Sequence, residues 1–485
     1  MRNVSTTLVL LLLAFVLQGA WAQSTINDQQ QLNATTQAPN TGAEPTATGP
    51  AAGQASDFPP LSGLDEPSLE PNVAARSFLL YGAQASELAD TNAGNSLRRN
   101  GTPIVGVTHL LGTAGLQRLW EHYQVGLDYV GGGAFYAGSV RDNSQMHELK
   151  FDARTTWRTG ALTLRDTASY LPDGTFGGSF GAAGGLGGGG LGGISGAGLG
   201  GASGERFSFF GANTFGSLGT FPRINNLAVL DFQQLLSPRS AVTMAGGYKY
   251  LHFTESTGGL FIDSRSIFAQ AGYNYSINRR NKVALVYGFQ HFEFPSAAGA
   301  TFVTHLAQLM YGHQISGRMD LLVGVGPQLT SLNSPQEGNT LRLSASGRAS
   351  LRYKFPRTSL IMSYDRYNSA SSGFFAGETT DLARFTVERP IRRRWTAAVH
   401  VGYSHHKRLQ VASVGVNAGS YQAGLAGFRM SRTFSRSLSG FVLYNFNEVA
   451  LDPSFCGSAA TCNRTSIRHI VGVGLTWHPH AIRLD

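Results

Sequence analysis

The chain has 485 residues, of which 14% are charged, 11% are aromatic and 61 are glycine. Charge this sparse and glycine this abundant argue against several ordinary globular cores. Lys and Arg outnumber Asp and Glu, 38 against 29, but they are scattered with no basic tail or binding motif, which excludes nucleic acid as a partner.

Residues 1–22 read as a secretory signal. Arg2 supplies the positive end, Leu8–Leu17 the apolar stretch, and Ala20-Trp21-Ala22 a small-x-small cleavage site before Gln23. No Cys follows that site, which excludes a bacterial lipid anchor. Residues 23–72 read as a disordered tether, because Gln23–Asp57 has almost no apolar side chain larger than Ala to bury. Its Pro-containing continuation carries Leu61, Leu64 and Leu69 at irregular spacing, as an extended docking segment would. Residues 73–117 are less determinate. Val73–Leu88, with Phe78, Leu79 and Leu80 adjacent, reads as one helix. Ile104, Val105, Val107 and Leu110 fit a short strand, a plug segment or the lead-in to the alternating region after them.

From Arg118 a two-residue period sets in. Tyr123, Val125, Leu127 and Tyr129 face one way, and His122, Gln124, Gly126 and Asp128 the other. Asp263–Phe294 shows the unit most plainly: Ile267, Ala269, Ala271, Tyr273 and Tyr275 alternate with Ser266, Gln270, Gly272 and Asn274. The turn Asn278–Asn281 then reverses the chain, and Val283, Leu285, Tyr287 and Phe289 resume the apolar face. Strands this long, apolar on one side and polar on the other, fit a closed barrel with lipid outside and water or other side chains inside. Continued to residue 478, the pattern predicts about sixteen antiparallel strands, with 225–236 and 380–388 the least regular. Past residue 30 no run approaches the ~20 apolar residues of a membrane helix. Short connections that all carry Arg (such as 158–160, 237–240, 278–281 and 316–318) alternate with mostly longer ones. That is the pattern of periplasmic turns and external loops, and an even strand number puts both chain ends on the periplasmic side.

The strands from 118 to 478, ending in Ile467, His469, Val471, Val473, Leu475 and Trp477, resemble a Gram-negative outer-membrane β-barrel protein of porin size. The resemblance rests on pattern and on no family-specific motif. It implies an all-β transmembrane barrel in the cell outer membrane with a periplasmic extension, surrounded by lipid, and a last strand read by the assembly machinery. It also implies a homo-oligomer, as is common among such barrels. The function it implies is passive diffusion of small hydrophilic solutes, with a non-conducting structural or surface-interaction barrel as the rival. Residues 479–485 then form a C-terminal tail.

Inner-face charge suggests what would pass. Lys150, Arg154, Arg165, Arg342, Arg348, Arg352, Lys354, Arg384 and Arg468 fall on the polar face and would line a lumen favouring anionic solutes. The competing account pairs them with Asp128, Asp152 and Glu388 as braces of a plugged barrel. Gly174–Gly204 contains GxGxxG spacings but no strand before and helix after, so it reads as an external loop over or inside the mouth. Aromatics near strand ends, among them Tyr129, Trp157, Tyr275, Tyr311, Tyr364, Trp395, Tyr403 and Trp477, form interfacial girdles. Cys456 and Cys462, in the last long loop of an exported chain, are expected to form a disulfide.

His405-His406 and His478-x-His480 have no carboxylate or Cys close in sequence, so no metal or cofactor is expected. Asp231, His252, His291 and His305 are the only materials for hydrolysis, and no spacing links them to an activated Ser. No catalytic residue is assigned, and the chain is not read as an enzyme.

Overall fold

A computed structural model describes residues 60–63, 77–93, 103–138, 142–171, 222–254, 262–296, 299–334, 338–355, 357–369, 375–409, 419–456 and 463–484. Eighteen long strands follow one another in chain order. The first six are β1 (Phe78–Asp90), β2 (Val105–Leu119), β3 (Tyr123–Tyr136), β4 (Ser144–Trp157), β5 (Gly160–Leu171) and β6 (Arg223–Ser237). The next six are β7 (Ser240–Phe253), β8 (Ser264–Ser276), β9 (Asn281–Phe294), β10 (Ala300–Ser316), β11 (Met319–Ser334) and β12 (Gly338–Lys354). The last six are β13 (Ser359–Ser369), β14 (Glu378–Arg392), β15 (Trp395–Arg408), β16 (Ser420–Thr433), β17 (Leu438–Leu451) and β18 (Thr465–Trp477).

Each strand is antiparallel to its predecessor, and β1 closes the ring on β18, from Ala83 opposite Trp477 to Asp90 opposite Ile470. A short β19 (Ile482–Arg483) continues the last strand and pairs with Phe78 and Leu79. Leu80–Gly82 on β1 therefore lie opposite the longer His478–Ala481, and the extra residue makes a bulge around Pro479, which has no N–H for the ladder. A Cβ at Gly82 would come within 2.6 Å of the Trp477 carbonyl oxygen, so the bulge demands glycine on its partner strand.

Burial follows the sequence period. On β8 and β9, Ile267, Tyr273, Leu285 and Tyr287 are exposed, whereas Phe268, Gln270, Asn274, Val286 and Gln290 are buried. The pattern repeats around the ring: exposed Leu309, Val325, Leu341, Val473 and Leu475 point outward, and buried Gln308, Gln328, Ser346 and Thr476 point inward. Closure satisfies the strand backbone, and strands of 11 to 17 residues exceed the roughly 9–11 needed to cross hydrocarbon. This is a transmembrane barrel of the outer-membrane type, greasy outside and polar inside. Tyr129, Trp157, Tyr275, Tyr311, Tyr364, Tyr403, Tyr444 and Trp477 are all exposed on its outer wall. Two of them are tied to His on the next strand, Tyr129 to His147 at 2.9 Å and Tyr444 to His469 at 3.0 Å, as is exposed Tyr287 to His305 at 2.7 Å.

Two sequence expectations need correction. The predicted strands match β3–β18, so the count of about sixteen is short by two. The missing pair comes from residues 73–117: β1 lies where a helix was read, and β2 takes up the stretch left open between a short strand, a plug segment and a lead-in. On β1 the outer positions include three Ala (Ala83, Ala85, Ala89) and Glu87, and the inner ones mix Leu80 and Leu88 with Gln84 and Ser86, which erases the apolar–polar contrast. Backbone pairing on both edges decides for strand over helix. The barrel therefore runs from Phe78 to Arg483, taking in part of the predicted tail 479–485. The irregular 225–236 and 380–388 are β6 and β14, each longer than expected. The predicted signal, most of the tether and Gly174–Gly204 lie outside the described residues.

Candidate functional site: the barrel lumen

The inner wall carries most of the chain's buried charge. Arg352 Nε donates to Asp320 Oδ2 at 2.9 Å, joining β12 to β11. Arg468 Nε lies 2.9 Å from both carboxylate oxygens of Asp90, across the β18–β1 closure. Asp365 on β13 lies between Arg348 of β12, at 3.8 Å, and Arg384 of β14, at 3.4 Å. Arg165 on β5 sits between Asp152 of β4, at 3.6 Å, and Asp231 of β6, at 3.8 Å. Lys150 pairs with Glu148 on its own strand at 2.6 Å. At least six of the nine inner-face cations read from the sequence therefore have a carboxylate partner. Arg154 and Arg342 make no ion pair among the described residues. Asp152, one of the predicted acids, is among these partners, together with Asp90, Glu148, Asp231, Asp320 and Asp365. Removing one member of such a pair leaves an uncompensated buried charge, which costs about 3–5 kcal/mol.

A different wall receives a piece of the chain itself. The turn Pro60–Gly63, closed by Gly63 N–H to the Pro60 carbonyl at 3.1 Å, sits against the inner faces of β7 and β8. Ser62 N–H donates to Asn274 Oδ1 at 3.0 Å. Gln270 Nε2 and Thr243 Oγ1 both donate to the Ser62 carbonyl, at 2.5 and 3.1 Å. The Ser62 hydroxyl lies 2.5 Å from Thr243 Oγ1 and also meets Asn274 Nδ2. Leu61, 3% exposed, enters an apolar cluster of Leu227, Val229, Phe268, Val286, Leu306 and Met310. Burying a leucine is worth about 1.5–3 kcal/mol. Gly272 makes the approach possible, since a Cβ there would fall 2.2 Å from Ser62 Cβ. Leu61 and Ser62, read from the sequence as part of an extended continuation of the tether, thus form a turn against the inner wall.

At the end away from the short turns the lumen is packed with apolar groups. Phe375, wholly buried, stacks toward Tyr421 among Leu382, Leu425 and Leu451. Ala376 joins Phe292, Phe294, Phe302 and Leu332. Beneath Phe375 lies a polar relay absent from the sequence expectations. His406 Nδ1 is 2.8 Å from Glu378 Oε1, His406 Nε2 is 2.7 Å from Ser404 Oγ, and Tyr421 stacks on the imidazole at 4.3 Å. All three members are fully buried, so the hydroxyl has no access for a substrate. Ser404 and His406 share a face because they are two apart on β15, a hint legible in the sequence; Glu378, on β14, is not. The same period sends His405 to the outer wall, so the His405-His406 doublet cannot act as one chelate.

Asp231, His252, His291 and His305 are not brought together. Asp231 is inward beside Arg165, whereas His252 pairs with Asp263 at 2.8 Å and His305 with Tyr287 on the outer wall. Cys456 is disulfide-bonded and ends the 3-10 turn Pro453–Cys456, and Cys462 lies outside the described residues.

No family model and no curated protein matches the chain. Its fold is similar to that of solved outer-membrane barrels. OpdK of Pseudomonas aeruginosa, solved with vanillate, is 11% identical with a TM-score of 0.40, covering 83% of this chain and 98% of that one. OccAB2 of Acinetobacter baumannii is 9% identical with a TM-score of 0.39 over 83% of this chain and 98% of that one. The ferric-catecholate import receptor Fiu of E. coli, in an open form, is 7% identical with a TM-score of 0.39 over 84% and 82%.

Proposed function

We propose that the chain is an outer-membrane channel for passive diffusion of small hydrophilic solutes, without catalytic activity, and that Pro60–Gly63 narrows its lumen. The observation that carries the reading is the polar inner wall of a closed ring of eighteen strands, a circumference at which barrels leave room for water. The docked turn is held by hydrogen bonds to three side chains of that wall, Thr243, Gln270 and Asn274, and none of these links is covalent, so it can leave. Anion preference, a further part of the proposal, rests on Arg154, because Lys150, Arg165, Arg348, Arg352, Arg384 and Arg468 have carboxylate partners and Arg342 lies beyond the paired part of β12 and β13.

The rival, a non-conducting barrel, is favoured by one observation: ion pairs such as Arg468–Asp90 and Arg352–Asp320 are buried and brace neighbouring strands. Planar-bilayer recording separates the two. Full-length protein is expected to give small conductance steps, and Leu61→Ala larger or more frequent ones, because docking loses a buried side chain worth about 2–5 kcal/mol. No conductance from either protein would establish the braced, non-conducting barrel, and reversal potentials favouring cations would remove the anion preference alone.

A further inference from the structure

The barrel wall has a gap between β12 and β13. Their pairing runs from Lys354 opposite Ser359 only as far as Gly347 opposite Arg366. Beyond that point β12 continues along β11 to Gly338, and β13 continues along β14 to Ser369, so the two strands part toward the end with the longer loops. The tip of β13 reaches past β12: Asn368 Nδ2 donates to Thr330 Oγ1 of β11 at 2.7 Å. The separated strands and the loop-side ends of β14 and β15 enclose a cleft of about 340 Å³, lined by outward Leu343, Asp381 and Lys407 and by inner-face Arg342 and Arg408.

The chemistry of the cleft is that of an anion site. Arg342, Arg366, Lys407 and Arg408 line it, with Asp381 as the opposing charge. Asp381 is already engaged, by Arg366 Nη1 at 3.1 Å and by the Tyr364 hydroxyl at 2.6 Å. Arg342 and Lys407 make no ion pair among the described residues. His405 Nδ1 and Arg366 Nε, in the same wall, are buried without a hydrogen-bond partner, which is costly unless something supplies one. Beside this polar patch the outer wall is greasy: Leu341 and Leu343 are 68% and 75% exposed, and Tyr403 is exposed as well.

We propose that the cleft binds a phosphorylated lipid of the outer leaflet, its phosphate held by Arg342 and Lys407 and its acyl chains lying on Leu341, Leu343 and Tyr403. Cations alone would suit any phosphate. The lipid is singled out because the lining includes Leu343, 75% exposed on the outer wall, and continues onto Leu341 beside it. The site is independent of whether the lumen conducts.

The full chain, folded in dodecylmaltoside, is titrated with phosphatidic acid and read by native mass spectrometry, with phosphatidylcholine and inorganic phosphate in parallel. Phosphatidic acid is expected to bind at least about tenfold more tightly than phosphatidylcholine, and R342Q/K407Q to weaken it by about tenfold or more, the scale of a lost charge-assisted contact. The heat-modifiable gel shift of a closed barrel confirms that the variant is folded. Should it fail to fold, Lys407→Gln alone, on the outer wall, is measured instead. Equal binding of phosphatidylcholine, or unchanged binding in the folded variant, overturns the proposal. Displacement of the lipid by millimolar inorganic phosphate overturns the lipid as the occupant.

Discussion

The inner wall has two kinds of surface. On β7–β9 the patch that receives the turn of chain is made of Thr243, Gln270, Asn274, Phe268 and Val286, all neutral groups, with buried Lys249 further along β7. Around β11–β14, and again where β18 meets β1, it is made of full charges matched strand to strand. The first surface forms bonds worth about 1 kcal/mol each that water can replace. The second holds groups that water cannot easily reach and that the fold cannot easily lose. A lumen can change its contents at the first surface while keeping its circumference at the second.

Breaking a brace should have the largest effect. Arg468→Ala leaves Asp90 buried and unmatched, and a loss of about 3–5 kcal/mol is expected, read as a lower urea midpoint in detergent. An unchanged midpoint would show that backbone pairing alone holds the closure. Disturbing the docking wall should leave the midpoint closer to wild type and act on permeation instead. Gly272→Val places a branched side chain where Ser62 now sits, so larger conductance steps are expected in planar bilayers. Steps of wild-type size would mean that the turn does not obstruct flow.

The smallest effect lies in the loop after β17. Burial pushes the Asp452 carboxyl up, but hydrogen bonds from Ser454 and from the backbone N–H groups of Ser420 and Gly419 outweigh it and hold the group below its usual range. A carboxyl depressed in this way adds stability that is present at neutral pH and is lost as pH falls through the depressed value. Proteolysis near this loop is therefore expected to rise on acidification below the ordinary carboxylate range. Asp452→Asn should already be sensitive at neutral pH and show no further acid step.

Period-two alternation made β3–β18 legible, because their outer positions are large and apolar and their inner ones polar. β1 and β2 escaped because Ala83, Ala85, Gly112 and Ala114 offer lipid only small groups, and Leu110-Leu111 breaks the contrast. The inward direction of the Arg and Lys candidates was also legible. Asp152 apart, their partners in Asp90, Asp231, Asp320 and Asp365 were not, and neither was the seat of the turn: Asp90 and Arg468 lie 378 residues apart, and Ser62 and Asn274 lie 212 apart. Periodicity tells which face a side chain occupies, but only barrel closure and strand stagger decide what it meets there.

The bond between the first and last strands also governs how the molecule is made. β1 has only β2 as a neighbour until Thr465–Trp477 has been synthesised, so one of its edges stays open through nearly the whole of chain elongation. Joining ends so distant carries a heavy loop-closure entropy, and topologies dominated by remote contacts are slow to form and prone to stray edge-to-edge association meanwhile. The nascent polypeptide must accordingly be shielded until its final strand arrives.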